Sequence, residues 1–225
     1  MKRIKIKICG LKRAVDLRLC HELGVDLAGL VTEYPLPVPW NLTAAEAKAL
    51  LAQVEPPLKS CLVTGGSREK IFALAERLRP GYVQLHYRES LADAAWLAGA
   101  LAPFGIGVIK TLPFFPEERL GQFGTADIAA CVTMLDETGI YAILADSRAP
   151  TNAAGPGTLM NLDLYRQIKA LAHKPVILAG GLTTENLPAI LDSATVDFID
   201  IMTGVESSPG VKDREKLNAV IKQVI

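Results

Sequence analysis

A thiol and a carboxyl stand at the ends of two apolar segments of this sequence. Cys9 follows Lys5-Ile6-Lys7-Ile8, and Asp146 follows Tyr141-Ala142-Ile143-Leu144-Ala145. Each residue type can move a proton. A carboxyl partly withdrawn from water keeps its proton and serves as a general acid, whereas a thiol whose ionisation is favoured by nearby cations serves as a base or a nucleophile. Asp200, within Phe198-Ile199-Asp200-Ile201, is a second carboxylate in an apolar run. Burying it costs on the order of several kcal/mol unless it is paired, so it implies a partner or a role. His86, after Tyr82-Val83-Gln84-Leu85, is placed to orient a substrate or a neighbouring side chain. Each group also has a plainer reading: Asp146 as a cap, Asp200 as the partner of a buried lysine, Cys9 as a small hydrophobe. Cys20, Cys61 and Cys131 take only that plainer reading.

Two glycine turns supply a different chemistry. In Ala179-Gly180-Gly181-Leu182-Thr183 and Thr203-Gly204-Val205-Glu206, glycine lets backbone N–H groups close on an anion, and a following helix N-terminus adds a favourable dipole. Gly180, Gly181, Thr203 and Gly204 are therefore candidates for holding a phosphate. Gly155-Pro156-Gly157 is a third candidate, with Gly155 and Gly157 able to close over the same anion.

These groups act together only if the chain brings them to one place. Eight β-rich runs recur along it: Ile4 to Cys9, Leu27 to Val31, Leu58 to Val63, Tyr82 to Leu85, Ile106 to Thr111, Tyr141 to Ala145, Val176 to Ala179 and Phe198 to Ile201. Between them lie helical patterns, among them the stripes Ile71/Leu74/Ala75/Leu78, Leu187/Ile190/Leu191/Ala194 and Leu217/Val220/Ile221/Val224. Thr43, three residues before Glu46, and Ser67 and Asp213 mark helix starts. Eight strands alternating with eight helices predict an α/β fold, a parallel eight-stranded (β/α)8 TIM barrel occupying residues 1–225 as one domain. An open doubly wound sheet is the alternative, but the first strand leads into Cys9-Gly10-Leu11-Lys12 without the GxGxxG turn of a dinucleotide site. In a barrel the chemistry sits at the C-terminal strand ends, where Cys9, His86, Lys110, Asp146 and both glycine turns fall.

Composition excludes several classes. The chain has 225 residues, with 24 Lys plus Arg against 24 Asp plus Glu, so no basic face for nucleic acid is expected. Its apolar runs fall well short of the roughly 20 residues of a membrane span, and the N-terminus lacks a signal-peptide core, which predicts a cytoplasmic protein. The four cysteines form no CxxC pair and have no histidine at ligand spacing, so neither a disulfide framework nor a metal site is expected.

At these residues the chain resembles the phosphoribosylanthranilate isomerases, barrel enzymes of tryptophan biosynthesis. The likeness is carried by Lys7-Ile8-Cys9-Gly10-Leu11, Val83-Gln84-Leu85-His86, Ile143-Leu144-Ala145-Asp146-Ser147, Ile177-Leu178-Ala179-Gly180-Gly181-Leu182, and Val196-Asp197 through Gly204-Val205-Glu206-Ser207-Ser208-Pro209-Gly210 to Lys212-Asp213. What the resemblance implies is a cofactor-free Amadori rearrangement of N-(5-phosphoribosyl)anthranilate, with Asp146 as general acid, Cys9 as general base and Asp200 near the reacting sugar. It also places Gly180, Gly181, Thr203 and Gly204 in the phosphate loops. One segment departs from the family pattern. Where the family has Ser-Pro-Arg, whose Arg pairs with the anthranilate carboxylate, this chain reads Thr32-Glu33-Tyr34-Pro35-Leu36-Pro37-Val38-Pro39-Trp40-Asn41. Arg88, Lys110 and Arg148 are the cations from other loops that could take its place. Tyr87, Pro156 and Met202 also stand where the family has other residues. Three readings follow: the isomerase itself, a paralogue using the same acid and base on another phosphorylated aldose or amino sugar, and a non-catalytic barrel that binds a sugar phosphate.

Overall fold

The computed structural model describes residues 3–146 and 162–224. Gly155, Gly157 and Arg148 lie outside the described residues. Eight strands close into a parallel barrel in chain order: β1 (Lys5–Ile8), β2 (Leu27–Val31), β3 (Lys59–Thr64), β4 (Tyr82–Leu85), β5 (Gly107–Pro113), β6 (Ala142–Asp146), β7 (Val176–Ala179) and β8 (Phe198–Ile201). Closure is made by β1 and β8, which pair in register from Lys5 opposite Phe198 to Ile8 opposite Ile201. The open-sheet alternative is thereby set aside.

Helices surround the barrel: α1 (Ala14–Glu22), α2 (Ala44–Leu51), α3 (Arg68–Leu78), α4 (Leu91–Leu101), α5 (Pro116–Phe123), α6 (Ile128–Asp136), α7 (Leu162–Leu171), α8 (Leu187–Ser193) and α9 (Arg214–Val224). Among the described residues that is one more α-helix than the eight expected. The extra one arises after β5, where Gly124, in the left-handed region at φ 73°, ends α5. Asp127 then starts α6 by accepting from the Ala130 N–H. The expected starts are in place elsewhere. Thr43 and Glu46 form a reciprocal capping box, Ser67 accepts from the Lys70 N–H, and Asp213 accepts from the N–H groups of Glu215 and Lys216. A short hairpin, β9 (Glu206–Ser208) with β10 (Val211–Lys212), separates β8 from α9.

Alternation along each strand divides the side chains into two cores. Ile6, Ile8, Ala28, Leu30, Val83, Leu85, Ile143 and Ile199 face outward and pack under the helices with Ile71, Leu74, Ala75 and Leu78. Residues of the opposite parity, among them Cys9, Val31, Cys61, Val63, Ile109, Leu144, Ile177 and Ala179, fill the barrel interior. The same parity puts Lys7, Gln84, Asp146 and Asp200 inside.

Candidate active site

A pocket opens at the C-terminal end of the barrel, lined by Cys9, Val31, Tyr34, Val38, Trp40, Val63, Gln84, His86, Asp146, Asp200 and Met202. On its β1 and β8 side, fully buried Lys7 donates from Nζ to Asp200 Oδ2 at 2.7 Å. A buried lysine would ordinarily lose its proton. Here burial, the largest single influence, is outweighed by Asp200 together with the neighbouring Cys9 and Cys61, and the ammonium is held well above its usual range. Cys9 sits one step further along the inner face of the same chain segment. Burial pushes its thiol up, and the Lys7 charge pulls the other way. Gly29 of β2 makes this crowding feasible: a Cβ there would lie 3.0 Å from Cys9 Cα and 3.1 Å from both Cys9 Sγ and Lys7 Nζ.

The opposite wall is built on hydrogen bonds. Asp146, the last residue of β6, is almost wholly buried, and its Oδ2 lies 3.6 Å from His86 Nε2. His86 Nδ1 is 2.9 Å from Thr111 Oγ1 and 3.1 Å from Gln84 Nε2. With the Gln84 amide donating, Nδ1 is the acceptor in this tautomer and Nε2 is the nitrogen that faces Asp146. His86 thus touches the carboxyl that the sequence marks as an acid.

The roof comes from the segment between β2 and α2. Tyr34, Val38 and Trp40 project apolar surface into the pocket, and both aromatic residues are tied down. Tyr34 Oη donates to the His86 carbonyl at 2.8 Å, and burial holds that hydroxyl neutral by pushing it above its usual range. Trp40 Nε1 donates to Glu206 Oε1 at 2.8 Å, which also accepts from Lys212 Nζ at 2.6 Å. Asn41 pins the loop further by bonding both the N–H and the carbonyl of Tyr34. The sequence marks this segment as a mouth loop that departs from the family's Ser-Pro-Arg pattern, but not as an aromatic roof. Its signal was Tyr34 and Trp40 flanking three prolines, Pro35, Pro37 and Pro39, with Leu36 and Val38 between them, where a polar loop would be ordinary.

The glycine turns meet each other beside the pocket. Gly180 and Gly181 adopt φ 97° and 66°, backbone that strains other residues. A Cβ on Gly204 would lie 1.9 Å from the Leu182 carbonyl oxygen, so only glycine lets the two turns touch. Asn186 at the start of α8 braces the first turn, donating to the Gly181 carbonyl at 2.8 Å and accepting from the Thr183 N–H at 2.8 Å. Thr203 opens a 3-10 turn, Thr203–Val205, on the other side.

Two expected substrate contacts are elsewhere. Lys110 lies mid-strand, because β5 runs on to Pro113, and its parity is opposite to that of Thr111; it points outward and donates to Gln122 Oε1 at 2.6 Å. Arg88 is exposed, lies over the Tyr87 ring at 5.5 Å, and lines a separate depression with Glu117, Glu118, Gly121 and Gln122. Neither reaches the pocket that holds Cys9 and Asp146. Lys7 and Gly29, by contrast, were not singled out from the sequence as parts of the site. The alternation of β1 was the available signal, since it puts Lys7 and Cys9 on one face.

A closed barrel with a thiol, carboxyls and an imidazole around its mouth and glycine turns beside them has the form of a (β/α)8-barrel enzyme. The family model for N-(5'-phosphoribosyl)anthranilate isomerase matches residues 6–223, and the chain belongs to that family. Among its relatives, the N-(5'-phosphoribosyl)anthranilate isomerase of Methanosarcina acetivorans is 30% identical over 226 residues, covering 99% of this chain and 93% of that protein. The one from Natronomonas pharaonis is 32% identical over 218 residues, covering 96% of each. The solved phosphoribosyl anthranilate isomerase of Thermus thermophilus superposes with a TM-score of 0.76 at 26% identity over 98% of each chain.

Proposed function

We propose that this enzyme catalyses the Amadori rearrangement of N-(5-phosphoribosyl)anthranilate in tryptophan biosynthesis, with Asp146 as general acid and Cys9 as general base. The observation that carries the proposal is that both groups line one pocket, from strands three positions apart around the barrel. An acid and a base on separate walls can address opposite sides of one sugar. Asp146 gives its proton to the ring oxygen as the C1–O bond breaks, and the nitrogen lone pair forms the Schiff base. Cys9, as thiolate, then takes the proton from C2. The C2–H electron pair becomes the C1–C2 double bond of the enolamine, and the Schiff-base π electrons return to nitrogen. Loss of the hydroxyl proton at O2 and protonation at C1 give the 1-deoxyribulose product. His86 positions the Asp146 carboxyl, Asp200 faces the sugar, and Gly180, Gly181, Thr203 and Gly204 receive the phosphate. Residues 1–225 act as one domain, and the balance of 24 Lys plus Arg against 24 Asp plus Glu suits work on a small phosphorylated sugar in the cytoplasm.

The test couples anthranilate, phosphoribosyl pyrophosphate and a transferase, and follows loss of phosphoribosylanthranilate fluorescence. Turnover should fall by about 10² to 10⁴ in Cys9→Ala and in Asp146→Ala. Full activity in either variant sinks the assignment. One observation favours a second reading, an isomerase acting on another phosphorylated aldose or amino sugar: residues 32–41, which roof the pocket, contain no Arg or Lys to meet a carboxylate. Absent turnover of phosphoribosylanthranilate with retained sugar-phosphate binding would select it.

A further inference from the structure

The pocket floor holds more charge than an acid and a base require. Lys7 is fully buried, 2.7 Å from Asp200 Oδ2, and both its Nζ and Cys9 Sγ stand 3.1 Å from the point where a Cβ on Gly29 would be. Ammonium and sulfur therefore share the same small space. Asp200 Oδ1 is buried without a hydrogen-bond partner among the described residues, so the carboxylate engages the ammonium through one oxygen only.

We propose that Lys7 is a positioning residue that favours the thiolate form of Cys9 against the burial that disfavours it, and that Asp200 sets how strongly it does so. An ammonium sealed from water beside a sulfur stabilises the negative form with little solvent screening. A carboxylate bonded to that ammonium offsets part of the effect, which makes the two neighbours act in opposite directions on one thiol. The other groups around Cys9 are few. Lys212 of β10 acts from further off and is paired with Glu206; Cys61 of β3 is a buried thiol; His86 and Asp146 lie across the pocket. Lys7 itself keeps its protons throughout, so the thiolate is free to receive the proton from C2. This inference rests on Cys9 being the base of the reaction.

Its test reads the thiol directly rather than through turnover. Alkylation of Cys9 by iodoacetamide is followed against pH by mass spectrometry of the Cys9 peptide in four proteins: wild type, Asp200→Asn, Lys7→Met and Lys7→Met/Asp200→Asn. The double variant leaves no lone buried charge and carries the test if Lys7→Met fails to fold. The expected midpoints rise in the order Asp200→Asn, wild type, double variant, with Lys7→Met at or above the double. At neutral pH, Asp200→Asn should alkylate about tenfold faster than wild type and the double variant about tenfold slower. Equal midpoints, or a fall in the double variant, overturn the inference. Midpoints in the expected order alongside full turnover in Cys9→Ala would uphold the pairing while removing Cys9 as the base, so the two failures stay distinguishable. A purely structural role for Lys7 would lower stability and leave the Cys9 profile in place.

Discussion

Lys7 on β1 and Lys110 on β5 are both fully buried lysines on barrel strands, one facing the interior and the other the layer beneath the helices. Their titrations nevertheless diverge. Lys7 meets a carboxylate at 2.7 Å and is held above its ordinary value. Lys110 meets only the neutral amide of Gln122 at 2.6 Å and the Phe123 ring at 5.7 Å, while Glu89, Glu118 and Asp93 act through space; burial wins, and its pKa falls to about 8. Burial alone thus tells little about a lysine. The partner within hydrogen-bond reach decides, because in a weakly screened interior one adjacent charge rivals the whole cost of desolvation.

The sharpest break of this comparison is Lys7→Met. It strands Asp200 as an unpaired buried carboxylate and should lower unfolding free energy in urea by about 3 to 5 kcal/mol, most of which Lys7→Met/Asp200→Asn recovers. A loss as large in the double variant would show that the lysine matters through packing alone. Next is Gly29→Ala, which forces a methyl against Cys9 and Lys7; overpacking should cost about 1 to 3 kcal/mol and slow turnover, read in the same melts and in the fluorescence assay. Unchanged activity there would loosen the claim that thiol and ammonium share one space.

The smallest effect belongs to Lys110→Met. Below about 8 the amine is charged in both the native and the unfolded chain and bears its full burial cost. Between about 8 and the ordinary value of 10.5 the unfolded chain binds a proton the native state has released, so wild-type stability gains a rising contribution with pH across that window. Lys110→Met should abolish that contribution while changing stability at pH 7 by about 1 kcal/mol or less, relief of a buried charge offsetting the donor lost to Gln122. Lys7 has the opposite sign, its raised pKa contributing stability below 10.5 that declines only above it. Stability measured at steps from pH 7 to 10 separates the two.

Much of the architecture was legible beforehand. Four of the eight strands, β2, β4, β7 and β8, coincide with the apolar runs that announced them, and Thr43, Ser67 and Asp213 begin the helices they were read to begin. Local rules suffice there: alternation for strands, a 3.6-residue stripe for helices, a side-chain oxygen for the first free N–H groups. The misreading of Lys110 came from a strand end. Placing the end of β5 at Thr111 rather than Pro113 made an outward mid-strand lysine look like a mouth residue, and where a strand stops depends on its neighbours' hydrogen bonds, here with β6 up to Pro113 opposite Asp146. Arg88 failed differently. A loop cation can turn toward the pocket or toward Tyr87, and only the surroundings choose.

By itself the sequence determined the period of each segment, the eightfold repeat and the residue types at the strand ends, since these follow from interactions among residues close in the chain. Tertiary structure alone decided which charges became neighbours. Lys7 and Asp200 are 193 residues apart and bond only because the barrel closes between its first and last strands, and Trp40 reaches Glu206 across 166 residues for the same reason. Chain proximity carries no information about such pairs, so the electrostatics of the site appear only once the sheet has closed.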